Sequence, residues 1–275
     1  MSFFGSLIDL LDLSMPTPEG YGWFHLLFWG LSLGAGVLLC LLCKNAGADR
    51  VRRIVLITAI IVIVLEIYKF INFSFTHSDG EISFDFYWSS FPWQFCSIPM
   101  YAGLLAGLIK RGRVHDSLCA FLATYAVFAG VAVMIYPGDV FISTIGINIQ
   151  TMVCHGSMIS IGILLYGTGH VKAEHKTILL ALPVFAAALL VAVILNEISF
   201  ASGLCDEYYF NLFYISPHED PHLPVYSTVQ ELVPYPFCLF IYIGAFTLVA
   251  YIITLAAMGI KALAHRASRK ADKPL

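Results

Sequence analysis

Charged side chains are scarce in this chain, making up 12% of its 275 residues against roughly a quarter in a soluble domain. So little charge excludes a water-soluble globule, and basic residues this few and this scattered do not point to nucleic acid. A basic leader followed by a small-residue cleavage site is missing, so no cleaved signal peptide is expected. No internal repeat is visible, which weighs against the transporter folds built from repeats. The seven cysteines are odd in number and dispersed, so a disulfide framework is not the theme. A Cys205–Cys238 bridge is a minor alternative, and Cys40-x-x-Cys43 lies in an apolar stretch where packing is its expected role.

What the chain has is apolar length. Hydrophobic residues make up 59% of it, and seven stretches approach the roughly 20 helical residues needed to cross a hydrocarbon core about 30 Å thick. They run over 23–43, 54–74, 92–109, 117–135, 146–167, 177–198 and 236–260. The expected fold is therefore all-α: a polytopic membrane bundle of seven transmembrane helices, multi-pass in the cell membrane. Residues 1–20 form an amphipathic segment lying on the outer surface, with Phe3, Phe4, Leu7, Leu10 and Leu11 set against Asp9 and Asp12. Residues 21–262 form the membrane domain with an outer loop over 199–235, and 263–275 a basic cytoplasmic tail. Every Lys and Arg except Lys69 falls in the first, third and fifth connections or the tail, whereas the other connections carry Asp79, Glu81, Asp85, Asp139, Asp206, Glu207, Glu219 and Asp220. The positive-inside rule then predicts an outer N-terminus and a cytoplasmic C-terminus. Gly30-x-x-x-Gly34 and Gly103-x-x-x-Gly107 predict close helix packing.

Polar groups inside a span are costly and mark function or pairing. Here they gather in the outer half of the expected bundle: Glu66, Lys69 and Asn72 on the second span, Asn148, Thr151 and His155 in one stripe on the fifth, Asn196 and Glu197 at the end of the sixth, and His25 at the start of the first. Glu66 and Lys69, three apart, can neutralise one another. Cys96 follows Pro92, a residue suited to a first helical turn, so it is expected within a turn of a helix N-terminus, where unpaired N–H groups favour a thiolate. Those N–H groups, with Gln94 or Ser97, can hold an oxyanion. A low-pKa Cys with a His base is what covalent acyl transfer needs. From the expected span starts, Cys96 lies ~6 Å deep and His155 ~14 Å.

Several of these residues together carry a resemblance. The run Phe91-Pro92-Trp93-Gln94-Phe95-Cys96-Ser97, His155-Gly156, Asn196, and Asn211-Leu212-Phe213-Tyr214-Ile215-Ser216-Pro217 followed by Pro234-Tyr235-Pro236 resemble the YwaF family of bacterial membrane proteins, whose animal relatives include transmembrane protein 164. The resemblance implies a membrane acyltransferase that moves fatty acyl chains between phospholipids and lysophospholipids, which would be its partners, with no cofactor. It makes Cys96 the acyl-accepting nucleophile and His155 its base, with Glu66, Lys69, Gln94, Asn148, Asn196 and Asn211 as substrate-binding or supporting residues. Trp93 and the loop run His218-Glu219-Asp220-Pro221-His222 depart from the family pattern. That run has metal-ligand chemistry, but such loops are ordinarily solvated and no metal is expected. The competing reading is a proton-coupled permease using Glu66, Lys69, His155 and Glu197. A retinal protein would need a better-placed lysine than Lys69, and haem ligation by His25 and His155 has no supporting pattern.

Overall fold

The computed structural model describes residues 3–220 and 223–271. Ser2 of the expected surface segment, His222 of the outer-loop run and Lys273 of the tail lie outside them. Ten α-helices and one hairpin make up the regular structure of these residues: α1 (Phe3–Leu11), α2 (Trp23–Cys43), α3 (Ala48–Ser74), β1 (Phe75–Ser78), β2 (Glu81–Phe84), α4 (Ile98–Leu108), α5 (Arg113–Ala123), α6 (Tyr125–Ile135), α7 (Ile145–Gly167), α8 (Lys176–Ala201), α9 (Pro224–Leu232) and α10 (Phe237–Ala271). Among the described residues six helices are long and apolar enough to cross a membrane, counting α5 and α6 as one broken at Thr124. The chain is a multi-pass membrane protein. At the break, the Thr124 hydroxyl donates to the Ala120 carbonyl four residues back, at 2.7 Å.

The third expected span differs. It predicts a helix from Pro92, whereas α4 begins at Ile98 and has only 11 residues, about 16 Å of rise. The proline that marks its first turn is Pro99. Residues 91–97 run instead as successive turns, with Trp93 N–H donating to Phe91 O and Ser97 N–H to Gln94 O. The Trp93 indole anchors this segment on the Ala188 carbonyl of α8 at 3.1 Å.

α7 is the hub, packed against α2, α3, α5 and α6, while α4 packs between α3 and α5, and α10 against α6 and α8. Buried side chains line α7 almost continuously from Ile147 to Leu165. By contrast α2 turns Leu31, Leu38 and Leu41 outward. The expected packing motifs divide on this basis. A Cβ at Gly107 would come within 2.8 Å of the Leu56 backbone, so α3 and α4 touch there, whereas Gly30 and Gly34 face open space and pack against nothing. Gly107→Ala is accordingly expected to cost about 1–3 kcal/mol through overpacking, and Gly30→Ala to stabilise slightly. Thermal unfolding of both variants in one detergent checks this, and equal midpoints would contradict the packing argument.

The two-stranded hairpin is the exception to an all-α fold. Asp79 and Gly80 take φ of 53° and 82°, the paired positive φ that a two-residue hairpin turn requires. Against it lies α1, tied by Asp9 to the His77 ring at 2.9 Å and by Leu11 O, which accepts from the Tyr68 hydroxyl at 2.7 Å. Asn72 also donates to Leu11 O, at 3.2 Å, so it holds α1 and does not join the polar cluster beside it. This hairpin end of the bundle also carries the loop 202–236, in which α9 is a helix the sequence did not suggest. The opposite, basic end carries the α2–α3, α4–α5 and α7–α8 turns.

Candidate functional site

The polar residues in the hairpin half of the bundle form two linked groups. The first is built on α3 and α7. Glu66 and Lys69, one turn apart, are paired at 2.5 Å with side chains only 12% and 19% exposed. Gln150 of α7 donates to the other Glu66 oxygen at 3.1 Å and to the Cys154 sulfur at 3.5 Å. Cys96, Cys154 and the Glu66–Lys69 pair lie within electrostatic reach of one another. Thus Cys96 enters the ion-pair cluster from the turns ahead of α4, two residues before the helix proper. Its own N–H and the Ser97 side chain sit within hydrogen-bonding range of its sulfur.

The second group is a strap, residues 211–216 of the long loop, folded down onto the start of α4 and the end of α8. Two side-chain amides hold it. Gln94 donates to Asn211 O at 2.9 Å and accepts from Phe213 N–H at 2.8 Å. Asn196 donates to Leu212 O at 3.1 Å and accepts from Leu212 N–H at 2.8 Å. Asn211 accepts from Ser216 N–H at 2.9 Å, closing the strap on itself. The backbone so held is strained, because Phe213 and Tyr214 adopt φ of 57° and 56°, a region costly for aromatic residues. The strain directs the two rings apart. Phe213 is 1% exposed and packs among Phe95 and Phe185, ring centroids 5.8 and 6.4 Å away. Tyr214 lies within electrostatic reach of Cys96. Burial pushes its phenol above the ordinary value, so it stays protonated at neutral pH.

His155 is buried at 8% exposure. Its Nδ1 donates to Thr151 O one turn back on α7, at 2.7 Å, which leaves Nε2 as the basic nitrogen, and this atom is enclosed without a hydrogen-bond partner. α6 approaches closely here, since a Cβ at Gly130 would come 2.5 Å from His155 O. Among the described residues no hydrogen bond joins His155 to Cys96. The side chain of α7 on the Cys96 side is Cys154, about 100° around the helix from His155. Lys69 is the shared neighbour, within electrostatic reach of both Cys96 and His155.

A profile of the TMEM164 family matches residues 20–254. The chain belongs to the TMEM164 family. No curated protein and no solved structure matches it.

In this TMEM164-family chain the expected site residues fall into three sets. Glu66 and Lys69 meet directly, with Cys96 within electrostatic reach of both. Gln94, Asn196 and Asn211 also meet: Gln94 and Asn196 anchor the strap through their amides, while Asn211, itself in the strap, has its Nδ2 enclosed without a hydrogen-bond partner. Asn148 stands apart: it accepts from Ile142 N–H at 2.9 Å and donates to Ile142 O at 2.7 Å, fastening the connection before α7. Thus His155 is oriented by Thr151 alone among its hydrogen-bonding neighbours, and not by Asn148, Gln94 or Glu66. Glu197 leaves the polar cluster altogether, pairing with His218 at 3.2 Å toward the loop. His25 accepts from Tyr21 N–H at 2.9 Å and closes the turn before α2. Cys205 and Cys238 do not bridge; Cys205 lies 3.2 Å from the Ser199 hydroxyl, and Cys238 accepts from Tyr226 at 3.4 Å. Sequence reasoning passed over Gln150 and Cys154. Their signal was present, since Gln150 is an amide in an apolar span four residues from a thiol, but the Asn148–Thr151–His155 stripe drew attention to the adjacent face.

Proposed function

We propose that this TMEM164-family protein is a membrane acyltransferase that moves a fatty acyl chain between phospholipids and lysophospholipids, with Cys96 as nucleophile and the hairpin end facing outward in the cell membrane. The observation that carries this reading is the placement of a thiol in non-helical chain at the mouth of α4, beside a buried ion pair and roofed by a strained strap. Such strain gathers where a protein holds reacting groups in place.

In this reading His155 Nε2 takes the Cys96 thiol proton as the sulfur attacks the ester carbonyl of a donor phospholipid. A carbon–sulfur bond forms, and the oxyanion is met by the Ser97 hydroxyl and the Ile98 N–H, since Pro99 has none and Met100 N–H is given to Ser97 O. Collapse breaks the ester carbon–oxygen bond, and the lysolipid alkoxide leaves with the proton held by His155. An acceptor lysolipid hydroxyl then gives its proton to His155 and attacks the thioester, and the returning thiolate recovers that proton. No oxidant or cofactor enters the cycle. Since α7 shows Cys154, and not His155, to Cys96 in the resting arrangement, the cycle requires a rearrangement of α7 or of the turns before α4 that brings Nε2 into reach.

The apolar crevice between α3, α4 and α7, lined by Val62, Met100, Gly103, Cys154 and Met158, suits the acyl chain. It holds only about 30 Å3, so these helices must part for a chain to enter. Purified protein in vesicles containing a phospholipid donor and an isotope-labelled lysophospholipid acceptor is expected to transfer acyl groups. Cys96→Ala should abolish the transfer, and His155→Ala should lower it at least about a hundredfold, both with unchanged unfolding midpoints. Transfer that survives Cys96→Ala would overturn the mechanism.

A further inference from the structure

A second, separate site lies at the basic end. There the α2–α3 and α4–α5 turns enclose a cavity of about 510 Å3 lined by Gly47, Ala48, Arg52, Lys110, Arg111 and His115, together with one acid, Asp49. Asp49 is answered by Arg52 at 3.3 Å. Arg52 is in turn fixed by donating to Gly107 O at 2.9 Å, so its guanidinium is held in the wall. Lys110 and Arg111 are exposed at the rim and make no ion pair among the described residues.

Two further features shape the recess. Helices α3 and α5 begin here behind Gly47 and Gly112, neither of which offers a capping side chain, and each carries one acid in its first turn, Asp49 and Asp116. His170 of the α7–α8 turn closes the third side through a hydrogen bond with the Ala48 backbone. Burial holds the charged form of His170 down, and the fields of Arg111 and His115 add to this.

The cavity also has an apolar neighbour. Farther along the same helices Ile57 and Ile60 of α3 and Leu105 and Leu108 of α4 are exposed apolar side chains. A cationic recess above an open aliphatic wall has the form of an amphiphile with an anionic head.

We propose that this recess binds the phosphate of an anionic phospholipid, with Lys110 and Arg111 on the phosphate, the α3 N–H groups behind it, and the acyl tails against the α3–α4 wall. A soluble phosphate would use the recess and ignore the wall.

The test uses the full chain in nanodiscs of equal parts phosphatidylcholine and phosphatidylglycerol, with retained lipid counted by native mass spectrometry. Phosphatidylglycerol is expected to stay bound in preference to phosphatidylcholine. Lys110→Gln/Arg111→Gln should weaken that retention about tenfold or more, with an unchanged unfolding midpoint in phosphatidylcholine alone. Lys172→Gln/Lys176→Gln, which removes equal charge outside the recess, should leave retention as in the parent chain. Equal retention by parent and Lys110/Arg111 variant overturns the site, and equal loss in both double variants replaces it with a diffuse basic surface. Inorganic phosphate that displaces phosphatidylglycerol fully, or stabilises the protein as well as the lipid does, overturns the lipid as occupant.

Discussion

Replacing Glu66 by leucine is expected to cost about 3–5 kcal/mol, because it strands the Lys69 ammonium in a largely buried setting. It also removes the acceptor for Gln150. Lys69→Leu should cost about as much by leaving the carboxylate unpaired. The double change, Glu66→Leu with Lys69→Leu, should recover most of the loss, since exchanging a buried pair for apolar groups is often near neutral. The three unfolding midpoints test the cycle, and single variants as stable as the parent would show that the charges find other partners. The same double variant separates structure from chemistry. If it folds normally yet transfers no acyl group, the pair tunes Cys96 and His155, both of which feel Lys69. If it folds and transfers normally, the pair is scaffolding.

Cutting the strap loose is the second large effect. Gln94→Leu combined with Asn196→Leu would orphan the N–H groups of Leu212 and Phe213 and leave the carbonyls of Asn211 and Leu212 only the longer bonds from Tyr214 and Ile215 N–H, at 3.3 and 3.4 Å. Each buried orphan costs roughly 1–3 kcal/mol in water-soluble proteins, and the average interhelical bond in a membrane only about 0.6 kcal/mol, so a total near 2–6 kcal/mol is expected. The Phe213–Tyr214 strain gives this loss a direction. Without its two amide clamps the strap should relax away from α4, taking Tyr214 off Cys96. Alkylation of Cys96 by a maleimide, measured in a variant whose other cysteines are replaced, should then quicken about tenfold or more. An unchanged alkylation rate would mean that the strap does not cover the thiol.

The long apolar helices were readable because hydrocarbon thickness imposes their length: α2 and α7 fall within a residue of expectation. The start of α4 was not, since Pro92 and Pro99 both fit a first turn, and only the tie of Trp93 to α8 decides between them. The hairpin was not legible although Asp79-Gly80 is a strong local turn signal, because its strands, Phe75–Ser78 and Glu81–Phe84, are too short to show a clear alternation. The Glu66–Lys69 pair was legible, since two opposite charges three residues apart in an apolar span must neutralise one another, but its closeness to Cys96 was not, because the sequence paired that thiol with His155. That Gln94 and Asn196 would both be used on one loop could not, because an amide carries no mark of its partner. The two pairs of bonds join residues more than a hundred positions apart for Gln94 and sixteen apart for Asn196.

The shortness of α4 bears on the bilayer as well. A rod of about 16 Å set among neighbours that cross some 30 Å leaves a notch in the apolar girdle, filled by the turns of residues 91–97. Lipids beside it cannot stand at full height without burying their headgroups or bending inward, a mismatch membranes relieve by local thinning. On the acyl-transfer reading, that dimple brings an ester bond down to the level of Cys96, so the thiol need not rise to meet its substrate.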